Sequence, residues 1–147
     1  MRRFLHGFTL VELMVALALV GILATLAAPA FQGSMERSRA DSDINELRTA
    51  LSFARLEAIN KSRSITVAAA NEGWAAGMTV KQEDTVVREF SAMKGGAELK
   101  AKGDGTELTF NNLGGVDDEM AFTYTRGSTT KNLTVCPTGR ILMAEGC

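Results

Sequence analysis

One uninterrupted apolar segment near the N-terminus constrains this chain more than any other feature. Residues 8–31 read FTLVELMVALALVGILATLAAPAF, and the only ionisable side chain among them is Glu12. At about 1.5 Å per helical residue, such a run is long enough to cross a lipid bilayer. Arg2 and Arg3 precede it, so the positive-inside rule predicts a cytoplasmic N-terminus, with the remainder in the periplasm or outside the cell.

Hydropathy alone leaves three interpretations of this segment open. It is a cleaved secretory signal whose ATLAAPA stretch supplies the small-residue site, a plain signal anchor, or a helix that is retained for another purpose. The first two leave Glu12 unexplained, because a carboxylate inside an apolar helix is costly and usually has a partner.

Helical periodicity continues beyond the apolar run. An apolar stripe recurs at steps of three and four residues, at Ile44, Leu47, Leu51, Ala54 and Ala58. The pattern predicts one helix over 8–60, apolar all round in its first half and amphipathic in its second. Pro29 predicts a kink or local melting near 25–29, the alternative being a tolerated transmembrane proline.

From residue 64 onward, short strand-like runs alternate with glycine-rich turns. The predicted strands are 64–70, 78–82, 86–90, 97–101, 107–110, 120–124 and 132–136, with a short one at 140–143. So many strands in so short a segment predict antiparallel hairpins, and the helix stripe needs the inward side of that sheet to cover it. The predicted fold class is therefore α+β.

Charge and side-chain chemistry narrow the function. Beyond residue 35 the chain has 14 basic and 16 acidic residues, so its net charge gives no general attraction to nucleic acid. Cys136 and Cys147 suit a small disulfide loop in an oxidising compartment, the alternative being two free thiols. His6 is the only histidine. With no catalytic or metal-spacing motif, we expect no enzyme, metal, cofactor or small-molecule substrate.

The string GFTLVE at 7–12, behind a short basic leader, resembles the class III signal of type IV prepilins and pseudopilins. The resemblance implies cleavage between Gly7 and Phe8 by a prepilin peptidase/N-methyltransferase, and N-methylation of Phe8. It also gives Glu12 an assembly role, because its carboxylate can pair with the N-terminal ammonium of a neighbouring subunit and set the register between subunits.

The rest of the chain resembles the minor pilin and pseudopilin group called FimT, FimU or GspH. The likeness rests on the helix end ARLEA at 54–58, the segment GWAAG at 73–77 and the strand-turn LTVCPTGR at 133–140. It implies a pilin-like α+β fold, in which a long N-terminal helix packs on an antiparallel sheet. The implied parts are a leader (1–7), a transmembrane helix (8–31), an amphipathic stalk (32–61) and a periplasmic β-rich head (62–147).

These features predict a minor pilin that primes or caps a type IV pilus. It would be anchored in the bacterial inner membrane by a single pass, and reach the filament or cell surface after assembly. Its expected partners are other minor and major pilins or pseudopilins. The alternatives are a minor pseudopilin of type II secretion and a DNA-binding minor pilin that uses Arg140. Trp74 is expected to be an anchor in the core or at its edge rather than a platform for a ligand. Arg55 and Glu57 are expected to form a helix-end ion pair or to be solvated.

Overall fold

The computed structural model describes residues 8–147, apart from the side chains of 26–30. Within that range one helix, α1 (Leu10–Lys61), precedes eight strands. The strands are β1 (Ile65–Ala70), β2 (Gly73–Gln82), β3 (Thr85–Phe90), β4 (Glu98–Ala101), β5 (Glu107–Phe110), β6 (Met120–Arg126), β7 (Thr129–Val135) and β8 (Ile141–Leu142). A short 3₁₀ turn, Lys102–Asp104, follows β4. The α+β class predicted from the sequence is confirmed.

Helix α1 begins and ends within two residues of its predicted limits. Its first turn is capped by Thr9, whose hydroxyl accepts the backbone N–H of Glu12 at 3.2 Å. It ends where Ser62 adopts a left-handed conformation with φ of 51°. The backbone is helical through 25–29, so the predicted local melting is not present there.

The chain divides into two compact units, one ending at Met35 and the other covering Glu36–Cys147. The predicted leader, 1–7, lies outside the described residues. Among the residues whose side chains are described, no helix is both long enough and apolar enough to cross a membrane.

The strands form two antiparallel sheets. Sheet A has the order β3-β2-β1-β5 and sheet B the order β4-β6-β7-β8. The sequence predicted antiparallel hairpins correctly, but gave no sign that the strands divide between two sheets.

Strand β2 starts five residues earlier than predicted. Its glycine-rich start resembles a turn, yet it pairs with β1 through a bulge between Ala69 and Ala70 that lets the register shift. Gly77 takes φ of 132° within this strand, a conformation that only glycine adopts readily.

The hydrophobic core lies in the unit Glu36–Cys147. The five predicted stripe residues of α1 are all buried, as are Ala40 and Ala50. They belong to one cluster with inward side chains of both sheets, including Val67 and Phe110 of sheet A and Phe122 and Leu133 of sheet B. Among the residues whose burial the structure describes, every buried member of this cluster falls between Ala40 and Val135, so we expect the fragment 36–147 to fold without residues 1–35.

Trp74 joins the two sheets, as its predicted anchoring role requires. Its ring meets Phe122 edge-on at 4.9 Å between centroids. Its indole N–H donates to the Gly105 carbonyl at 2.7 Å. The side chain is 3% exposed, so this single tryptophan reports directly on core integrity.

Replacing Leu47 by alanine tests the helix stripe. Leu47 is fully buried, so Leu47→Ala in the fragment 36–147 should lower the free energy of unfolding by about 2–5 kcal/mol. Urea unfolding followed by Trp74 fluorescence measures the loss. The matched control is Thr49→Ala on the exposed side of the same turn, which should change stability by no more than about 0.5 kcal/mol. Equal losses in the two variants would contradict this packing.

Candidate assembly interface

The first part of α1 presents an apolar surface. Every side chain from 8 to 25 is exposed in the structure. The large apolar ones are Phe8, Leu10, Val11, Leu13, Met14, Val15, Leu17, Leu19, Val20, Ile22 and Leu23. Contiguous apolar surface on this scale is rare on soluble monomers and marks a site that another apolar phase or protein covers. This surface is therefore the first candidate for a binding interface.

Glu12 is the carboxylate within this surface. It lies in the first turn of α1, where the helix dipole favours a negative charge. The capping bond from its N–H to Thr9 orders the backbone on which the carboxylate is mounted. The predicted assembly residue is thus at the exposed start of a capped helix, available to a positively charged partner.

The predicted processing site is only partly described. Phe8 is 80% exposed and precedes the helix by two residues, whereas Gly7 lies outside the described residues. Cleavage between them, methylation of Phe8 and the pairing of Glu12 all stay predictions.

A buried polar cluster ties α1 to sheet B within the unit Glu36–Cys147. The Arg126 guanidinium meets the Asp43 carboxylate at 2.7 Å, and the Tyr124 hydroxyl donates to the same oxygen at 2.6 Å. Nε of Arg126 donates to the Tyr124 oxygen at 2.8 Å, and the guanidinium also donates to the Lys94 carbonyl. Arg126 is 5% exposed, so its charge depends on these acceptors.

The cluster also shifts the ionisation of its tyrosine. Burial raises the pKa of the Tyr124 phenol above its ordinary value of 10.0, and the hydrogen bond to Asp43 raises it further. The phenol is therefore a stable hydrogen-bond donor at neutral pH.

Arg55 bridges α1 to two loops, which corrects the sequence prediction. It was expected to be in a helix-end ion pair or solvated, but its Nε donates to the Gly114 carbonyl at 3.0 Å and a terminal nitrogen donates to the Thr138 carbonyl at 3.3 Å. The two loops approach so closely that a Cβ on Gly139 would lie 1.7 Å from the Gly114 oxygen. Glu57 is in an ion pair at the helix end, but its partner is Lys61, at 2.8 Å, and not Arg55.

Cys136 and Cys147 are joined by a disulfide that closes a segment with a sequence separation of 11. The same C-terminal segment is held by Thr134, whose hydroxyl donates to the Ala144 carbonyl at 2.7 Å and accepts from the Gly146 N–H at 3.1 Å. The C-terminus is therefore fixed to strand β7.

Arg140, the predicted DNA contact, is exposed at the end of the loop before β8. Its carbonyl accepts the Cys136 N–H at 2.9 Å, which sets the backbone there. A role in DNA contact stays a prediction.

The cluster Asp43, Tyr124 and Arg126 was missed by sequence reasoning. Tyr124 and Arg126 alternate along one strand and so share a face, which is a visible signal for those two. Asp43 lies 83 residues from Arg126, and no local pattern links the two positions.

Comparisons with known proteins find relatives of both the N-terminal segment and the rest of the chain. Residues 43–139 match the family described as type II transport protein GspH, and residues 2–28 match the prokaryotic N-terminal methylation motif. Fimbrial protein Q of Moraxella bovis is 33% identical over 115 residues, covering 76% of this chain and 72% of that protein. A fimbrial protein of Pseudomonas aeruginosa is 46% identical over 54 residues, which is 35% of either chain.

A solved structure shares the fold. The crystal structure of the type IV minor pilin FimU of Pseudomonas aeruginosa superposes with a TM-score of 0.67 at 23% identity, covering 74% of this chain and 90% of that one. The pilin-like α+β fold predicted from the sequence is confirmed.

Removing Arg126 tests the buried cluster. Arg126→Met in the fragment 36–147 leaves the Asp43 carboxylate, which is 14% exposed, without its cation, so the free energy of unfolding should fall by about 3–5 kcal/mol. Chemical unfolding measures this. The control is Lys131→Met, which breaks the more exposed pair with Asp41 and should cost at most about 1 kcal/mol. Similar losses of stability in the two variants would show that the buried pair of Arg126 and Asp43 contributes no more than the exposed pair.

The raised pKa of Tyr124 predicts a loss of stability in alkali. A folded-state pKa above the unfolded one means that the stabilisation is complete below about pH 10 and is lost as the pH rises through the folded value. The free energy of unfolding of the fragment 36–147, measured from pH 8 to 11, should therefore fall more steeply than that of Tyr124→Phe. Because Tyr124 is the chain's only tyrosine, tyrosinate absorbance reports its ionisation alone. If the free energy of unfolding falls equally with pH in the two proteins, the raised pKa of Tyr124 is contradicted.

Proposed function

The chain belongs to the family of type II transport protein GspH, and from that premise we propose that it is a minor pilin that primes or caps a type IV pilus. It acts by packing rather than by chemistry. The observation that carries the proposal is the exposed apolar surface of 8–25, which contains a single carboxylate in the first helical turn.

The apolar helix is surrounded first by lipid and then, after assembly, by the helices of other subunits. Before assembly, residues 8–31 anchor the precursor in the inner membrane, with the unit Glu36–Cys147 in the periplasm. The disulfide between Cys136 and Cys147 suits that oxidising compartment. During assembly the helix moves from lipid into a bundle of similar helices, and the apolar surface is covered in both states.

Glu12 sets the register between neighbouring subunits when the helix enters the bundle. After cleavage between Gly7 and Phe8, the new N-terminal ammonium of one subunit pairs with the Glu12 carboxylate of its neighbour. In apolar surroundings an unpaired carboxylate costs several kcal/mol, so only the alignment that pairs the two charges is stable. The residues around the pair supply apolar contact without competing charges.

The other candidate is a minor pseudopilin of type II secretion, which the match of residues 43–139 to type II transport protein GspH favours. We retain the pilus as the first candidate because the C-terminal cysteine pair resembles that of pilus-type members. Pilus shearing and a secretion assay in the deletion strain distinguish the two. Loss of surface pili supports the first, and loss of secreted enzymes with normal pili supports the second.

Removing the charge of Glu12 tests the mechanism. In the full chain, Glu12→Gln and Glu12→Ala should leave membrane insertion and processing intact but reduce recovery in sheared filaments at least about tenfold, since the register pair is lost. Membrane and filament fractions are compared by immunoblotting.

The matched control is Glu46→Gln, which removes a carboxylate from the same helix outside the apolar surface and should leave recovery unchanged. N-terminal sequencing of each protein should give methylated Phe8. A mature chain that starts near Ala30 would refute the proposal, because the apolar helix would have been removed with a signal peptide.

A further inference from the structure

The proposed assembly mechanism makes no use of one surface on the outer side of α1. We call it the arginine face, and it comprises Arg48, Ser52, Arg55, Leu56 and Ile59 of α1, with Arg88 of β3 and Ile141 of β8. Two adjoining grooves of about 450 and 550 Å³ run along it and share Arg48, Ser52 and Leu56. Its helical residues recur at three- and four-residue steps on the side away from the buried stripe.

The centre of the arginine face is apolar. Leu56 is 59% exposed and Ile59 is 41% exposed, although both belong to a helix whose other side forms the core. Leu113, from the loop that Arg55 holds, is 83% exposed. Neighbouring exposed aliphatic side chains of this size are typical of the centre of a protein-binding patch.

The rim of the arginine face is positively charged. No carboxylate lines either groove, and within the described part of the chain neither Arg48 nor Arg88 forms an ion pair. Two unpaired guanidiniums beside an apolar centre complement a partner that presents carboxylates around an apolar side chain.

The arginine face is also pre-organised. The Arg88 guanidinium lies over the rings of Phe53 and Phe90, at 5.1 and 4.8 Å from their centroids. Arg55 is fixed by its bonds to two loop carbonyls. Side chains that are already ordered lose little entropy on binding, so a modest contact on this surface can be specific.

We propose that the arginine face docks an acidic surface, centred on an apolar side chain, on the head of a neighbouring pilin-type subunit. This inference rests on the proposed function and names the partner surface. A nucleic acid is the poorer occupant, because phosphates gain nothing from Leu56 and Ile59 and the chain beyond residue 35 has more acidic than basic residues.

Site-specific photocrosslinking in the bacterium tests the proposal. A photoreactive phenylalanine analogue replaces Leu56 in the full chain, and adducts are identified by mass spectrometry. We expect an adduct with another subunit that carries the N-terminal methylation motif, at a peptide rich in Asp and Glu. Arg48→Glu together with Arg88→Glu should reduce this adduct by about tenfold or more, and reversing the partner's acidic residues to Arg should restore it.

The matched control is Lys94→Glu together with Lys102→Glu, an equal change of charge at two exposed positions outside the arginine face, which should leave the adduct unchanged. An adduct with a second copy of this chain would overturn the proposal, as would one that is insensitive to charge reversal. So would binding of duplex DNA by the purified fragment 36–147 that is lost in the double variant. The amount of the wild-type chain in sheared filaments is measured in the same cells. If the chain is found in filaments but gives no adduct, this inference alone is refuted. If the chain is absent from filaments, the proposed function is refuted.

Discussion

The unit Glu36–Cys147 depends on one constraint, which is that the inner side of α1 must be covered. Ala40, Leu47, Ala50, Leu51 and Ala58 have no exposed surface. Small alanines alternate with leucines along this stripe, so the helix can lie close to the sheets while the larger side chains fill the spaces between strands. An isolated sheet of short strands would be marginal, and the helix supplies the apolar surface that makes both sheets stable.

Apolar packing alone leaves the position of a helix on a sheet poorly defined, and polar contacts fix it here. Asp41 and Asp43 of α1 pair with Lys131 and Arg126 of the β6–β7 hairpin. Arg55, three to four turns further along, bonds to the loops that follow β5 and β7. Contacts at two well-separated points prevent both sliding and rotation of the helix over sheet B. We expect the buried pair to contribute more to this specificity than to net stability.

Local signals in the sequence were sufficient to predict the helix and the strands, but not the contacts between distant parts of the chain. Alternation and glycine turns located seven of the eight described strands to within about three residues at either end, and the periodicity of α1 identified its buried stripe. The early start of β2 was missed, because a bulge accommodates residues that resemble a turn. The Arg55 bridge spans 59 and 83 residues and joins a side chain to backbone carbonyls, so the identity of the loop residues carries no information about it. The processing site and Glu12 were predicted from a motif, and their roles are matters of chemistry that geometry alone does not test.

The Arg55 bridge has a consequence for how the surface of this protein can evolve. Its acceptors are main-chain oxygens, which every amino acid possesses, so the restraint survives substitution of the side chains that surround it. Asn112, Leu113 and Thr138 all point to solvent within the two bridged loops. Apart from the tightly packed glycines and Asn111, whose side-chain oxygen accepts the N–H groups of Leu113 and Gly115, these loops can therefore diverge while keeping their shape. A minor subunit built in this way can change what it presents to its neighbours without refolding.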